Sequence, residues 1–132
     1  MKSKFLILLL ILVPVFMTQA QEDKKKKGDI YMEVDEMPVY PGGIEGLKNF
    51  LMENVTYPEN AKKNKITGKV FVTFVVDEMG DVANAKIVRA VDPDLDKEAL
   101  RVVNAMEKWT PGKQDGKAVK VQFTIPIQFA LE

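Results

Sequence analysis

Apolar residues occupy every second position near the end of the chain. Val119, Val121, Phe123, Ile125, Ile127, Phe129 and Leu131 alternate with Lys120, Gln122, Thr124, Pro126, Gln128 and Ala130. This period predicts a long β-strand with one buried face and one wetter face. A second run, "KVFVTFVV", is apolar on both faces: Val70, Val72, Phe74 and Val76 on one, Phe71, Thr73 and Val75 on the other. Such a strand belongs in the middle of a sheet. "DEMGD" then supplies a Gly-containing turn, and "VANAKIVR" (82–89) reads as the returning strand of a hairpin.

Helical spacing accounts for the other apolar residues. From Gly43, Ile44, Leu47, Phe50 and Leu51 make one stripe, with Asn54 as a stop. Pro58 suits the first turn of a shorter helix within 56–64. Residues 92–109 carry the fullest helix signal: Asp92 to cap, Pro93 at the first position, and Asp94, Asp96 and Glu98 near the positive end of the dipole. Leu95, Ala99, Val102, Val103 and Met106 form its apolar stripe. Residues 30–43 read as extended, since Pro38 and Pro41 discourage helix. "TPGKQDGK" (110–117) carries turn signals.

The order helix, hairpin, helix, strand predicts an α+β fold. The long helix carries the chain back across the sheet, so the last strand lies beside the first. The expected sheet is three-stranded and antiparallel, in the order second–first–third, with two main helices packed on one face. Pro126 then lies on an edge strand, where its missing N–H is tolerated. In an antiparallel ladder a residue's N–H and C=O point to the same side. The even-numbered residues, Lys120, Gln122 and Thr124 among them, should therefore present free donors and acceptors outward. Such an edge can capture an extended peptide by strand addition. Pro126 is equally suited to blunting an edge that nothing binds.

Composition narrows the chemistry. The chain has neither histidine nor cysteine, and its only serine is Ser3. The usual nucleophile–base pairs and the imidazole and thiolate metal ligands are missing, so no catalytic, metal or cofactor site is expected. "DPDLD" is no calcium loop, because Lys97 and Val103 stand where Gly and Glu are needed. The acidic 77–81 turn has no convergent partners. "GK" at 112–113 and 116–117 lacks the spacing of a phosphate loop.

Residues 1–20 read as a secretory signal peptide: Lys2 and Lys4, an apolar run from Phe5 to Met17, and a small residue, Ala20, at the cut. The run is shorter than the roughly 20 residues of a membrane span. The expected fate is export, with an uncleaved membrane anchor as the alternative. Without Lys2 and Lys4 the chain has seventeen basic and nineteen acidic residues, a net charge of about −2. This balance does not suit a nucleic-acid binder. Residues 21–37 read as a charged linker and 38–132 as the folded domain.

An ordered set of motifs resembles the TonB C-terminal domain, in the form common among Bacteroidetes proteins. The set is Tyr57-Pro58 with Ala61, Gly68 before the central strand, Gly80 in the turn, "LDKEAL", "KWTPGKQDGK" and "FTIPIQF", with "MPVYPGG" upstream. The likeness spans about 37–129. It implies a periplasmic domain that grips the extended N-terminal box peptide of a TonB-dependent outer-membrane transporter through the last strand. By position, Tyr57, Pro58, Lys120, Gln122 and Thr124 inherit the peptide contact. Full members also carry a motor-coupling anchor helix with a Ser and a His, and a long Pro-rich spacer. This chain has no His, Ser3 precedes its apolar run, and residues 21–37 could stretch to roughly 56 Å. The alternative function is an envelope adaptor or a self-associating module, including a homodimer through the same edge.

Overall fold

In the computed structural model, residues 29–131 are described. The expected signal peptide and the linker as far as residue 28 lie outside the described residues. The elements run β1 (Ile30–Tyr31), α1 (Gly43–Asn54), α2 (Glu59–Lys63), β2 (Gly68–Val76), β3 (Val82–Arg89), α3 (Pro93–Asn104), β4 (Gly112–Gln114) and β5 (Lys117–Phe129).

β2 is the middle of the sheet, as its two apolar faces require. It pairs antiparallel with β3 on one side and with β5 on the other, from Gly68↔Phe129 to Val76↔Val121. On the helix-covered face, Val70, Val72, Phe74 and Val76 have no exposure, and they meet Leu95, Ala99 and Val103 of α3 with Ile127 and Phe129 of β5. Burying each such side chain contributes about 1.5–3 kcal/mol, which makes this layer the main source of stability.

The helices begin as their sequences dictate. The Asp92 carboxylate accepts from the Asp94 and Leu95 N–H groups at 3.0 and 3.2 Å, satisfying two donors the first turn leaves free. α1 holds no fully buried residue, and Leu47, Phe50 and Leu51 pack only partly against the core. Asn54 ends it, with its side-chain amide donating to the Phe50 carbonyl at 2.8 Å.

Two expectations need correction. The sheet has five strands rather than three: the predicted trio survives as β3–β2–β5, with β1 parallel to the outer side of β5 and β4 also paired to β5. The added strands are two and three residues long, too short for alternation to register. β4 and β5 form a hairpin around Asp115 and Gly116, whose φ of 54° and 78° are those of a two-residue primed turn. Secondly, α3 stops at Asn104, not 109. The Ala105 and Met106 N–H groups tighten onto Val102 and Val103, and the chain turns away. That exit lets Trp109 drop into the core with its N–H donated to the Gly80 carbonyl at 2.9 Å.

Candidate functional site: the outer edge of β5

The side of β5 that faces β2 can be read from two contacts. Thr73 Oγ1 on β2 donates to the Phe123 carbonyl at 2.9 Å, so an odd-numbered carbonyl lies on the β2 side. A two-residue hairpin turn is closed by a hydrogen-bonded pair, here Gln114 and Lys117, so Lys117 faces β4. Odd-numbered residues thus bond inward. Even-numbered residues direct their backbone groups outward, Pro126 among them.

β1 covers part of that outer edge, with Ile30 opposite Lys120 and Tyr31 opposite Val121. Lys120, expected to be free, is therefore paired with the chain's own N-terminal segment. Beyond Val121 no strand among the described residues covers the edge, and Gln122, Thr124 and Gln128 offer both N–H and C=O there. Pro126 offers only a carbonyl.

The even-numbered side chains project onto the face without helices, where Gln122 lies opposite Val75 and Thr124 opposite Thr73. Thr124 Oγ1 and Thr73 Oγ1 are 3.2 Å apart. A shallow depression of about 350 Å³ opens there, lined by Thr73, Val75, Lys86 and Gln122 with Ile30 at its rim. The face is basic. Lys86 lies opposite Thr73, Arg89 opposite Phe71 and Lys69 opposite Gln128, and Lys120 shares the side of Gln122.

Tyr57 and Pro58 are placed elsewhere. The Tyr57 hydroxyl donates to the Ile66 carbonyl, and its ring stands edge-on to Phe129 at 5.6 Å. Phe129 is seven residues from Gln122, about 23 Å along a strand. Pro58 precedes α2 and lines a separate hollow with Thr56, Asp94, Lys97, Glu98 and Arg101. Tyr57 and Pro58 therefore do not join Lys120, Gln122 and Thr124 in one site. Tyr57 ties the start of β2 to the end of β5.

That hollow has its own electrostatics. Glu98 accepts from Arg101 at 2.8 and 2.7 Å and from the Thr56 N–H at 2.7 Å, while Arg101 also donates to the Asn54 carbonyl at 2.7 Å. Hydrogen bonds from Arg101 hold the Glu98 carboxyl below its usual range, helped by Thr56 and opposed by burial. A lowered folded value means the stabilisation is present at neutral pH and is lost as pH falls through that value. Glu98→Gln is expected to cost about 1 kcal/mol at pH 7. The gap between its melting temperature and that of the wild type should close in acid, below the ordinary carboxylate range. Thermal melts across pH check this.

Sequence reasoning did not find Ile30 and Tyr31. Their stretch reads as extended, but parallel pairing to a strand ninety residues away leaves no local signal.

The model of the Gram-negative bacterial TonB protein C-terminal family matches residues 53–131. The chain belongs to that family. Among curated proteins no sequence matches significantly. Two NMR solution structures of the Helicobacter pylori TonB C-terminal domain are similar in fold. The first has a TM-score of 0.53 at 23% identity, covering 67% of this chain and 80% of that one. The second has a TM-score of 0.51 at 22% identity, covering 67% and 94%. TonB C-terminal domains are binding modules of energy transduction that interact with outer-membrane transporters, not enzymes. Among the described residues, no helix is long and apolar enough to cross a membrane.

Proposed function

We propose that this TonB-type domain works in the periplasm as a protein-binding module. It takes the extended N-terminal box peptide of an outer-membrane transporter as an added strand on β5. The observation that carries the reading is the edge itself: among the described residues, no strand lies beside the outward backbone groups from Gln122 to Gln128, and only Pro126 interrupts the donors. An unpaired edge of that length invites another chain, and family membership names transporters as the natural source. Gln122 and Thr124 supply the first bonds. Tyr57, packed against Phe129 at the far end of β5, serves the binding surface by fixing the end of the strand, and Pro58 follows it at the start of α2. Neither catalysis nor a cofactor enters.

Gln122→Pro tests the reading. It deletes one outward donor and leaves the bonds to β2 in place. The lost bond should weaken a transporter box peptide by roughly 0.5–1.5 kcal/mol, and the proline ring adds steric exclusion. Titration calorimetry of wild type and Gln122→Pro against box peptides reads the effect, with melting curves of both as the control. Unchanged affinity in a stable variant contradicts edge capture. Self-pairing through the same edge would instead appear as a concentration-dependent dimer that Gln122→Pro dissolves.

A further inference from the structure

The strand that covers Lys120 has properties of its own. β1 contributes two residues, its Ile30 side chain is 44% exposed, and Met32 just after it is 65% exposed. So little buried surface places it at the weakly held end of the fold. The chain beyond it is fastened more firmly. The Asp35 N–H donates to Gln114 Oε1 at 3.0 Å, and Asp35 Oδ2 accepts from the Asp115 N–H at 3.2 Å. Glu36 exchanges backbone bonds with Lys113 at 3.0 and 2.8 Å, and Val39 does the same with Thr110. Residues 35–39 thus hook over the β4–β5 hairpin, while Ile30–Tyr31 lie along the edge of β5 as a lightly held flap.

The flap also looks like a ligand. Ile30 and Tyr31 are extended beside Lys120, with Asp29 just before them and Glu33 shortly after. Ile30 reaches the rim of the depression between Gln122 and Lys86.

We infer that Ile30–Tyr31 is a built-in competitor for the β5 edge. A captured strand that runs past Gln122 onto Lys120 must peel the flap away, while Asp35–Val39 stay in place. The segment that displaces it matches its chemistry: extended, with an aliphatic side chain over Thr73 and Val75 and an acidic residue just before it, as Asp29 precedes Ile30. This rests on the edge-capture reading. Displacement lowers the apparent affinity by the fraction of molecules whose edge is open.

The experiment uses the protein and synthetic peptides copied from the N-terminal segments of outer-membrane transporters of the same genome. Two variants bracket the wild type. Tyr31→Pro removes an N–H from the flap and opens the edge. The pair Ile30→Cys with Lys120→Cys joins the flap to β5 by a disulfide under oxidation and releases it under reduction, in a chain with no other cysteine. Tyr31→Pro should bind roughly threefold to tenfold tighter than wild type. The oxidised pair should bind more weakly than its own reduced form by at least as much. Equal affinity across all these forms, with Gln122→Pro still weakening the peptide, overturns the competitor and leaves edge capture standing. Binding to none of them overturns both.

Discussion

Replacing Trp109 with alanine is expected to cost about 3–5 kcal/mol, enough to lower the melting temperature by at least about 12 °C. The indole is 7% exposed, and three rings meet it: Tyr40 edge-on at 5.2 Å, Phe123 stacked at 5.4 Å and Phe74 at 5.7 Å. Each ring belongs to a different part of the chain. Tyr40 ends the segment that hooks over the hairpin, Phe74 is on the central strand and Phe123 on β5. A void at Trp109 loosens all three together. The indole N–H is buried with no acceptor among the described residues, so the ring works through shape and area rather than through a bond. Trp109→Phe should therefore cost clearly less than Trp109→Ala. Thermal melts of the two variants decide it. A melting temperature for Trp109→Ala within a few degrees of wild type would mean the aromatic cluster is not the junction described.

Gly80→Ala is the second large effect, expected at about 2–4 kcal/mol. Gly80 has φ of 88°, and a Cβ there would lie 2.1 Å from the Trp109 carbonyl oxygen. Its own carbonyl accepts the Trp109 N–H, so neither side can retreat without breaking that bond. Asp77 braces the same turn, with Oδ1 accepting from the Met79 and Asp81 N–H groups at 2.9 Å each. Gly116 provides the comparison. It has φ of 78°, but a Cβ there meets nothing within 4 Å, so Gly116→Ala should show only left-handed strain, roughly 1–2 kcal/mol. Chemical denaturation of both variants separates strain from clash. Equal losses would mean that contact with Trp109 adds nothing.

Where the sequence was legible, one local signal had one structural answer. Two-faced apolarity put β2 in the middle, because only a strand paired on both sides buries both of its faces. Asp92-Pro93 marked the start of α3 by cap chemistry that acts within four residues. Pro126 marked an edge strand because a missing N–H is tolerated only there. The illegible parts depend on distant contacts. The end of α3 is set by Trp109 reaching Gly80, and nothing between 104 and 109 announces it. β1 is too short for periodicity, and its partner is ninety residues away. Tyr57 packs against Phe129, about seventy residues along the chain, and no local pattern announces that contact. Alternation did give the parity of β5, and that parity defines which residues a partner can reach.

That parity also gives the most direct test of strand addition on β5. Amide hydrogen exchange is measured residue by residue, by NMR, on the protein with and without a saturating transporter box peptide. Gln122, Thr124 and Gln128 should gain protection. Phe123, Ile125 and Ile127, already bonded to β2, should change little, and the outer edge of β3 should not respond. Protection gained along β3, or on odd and even residues of β5 alike, would contradict capture at the β5 edge.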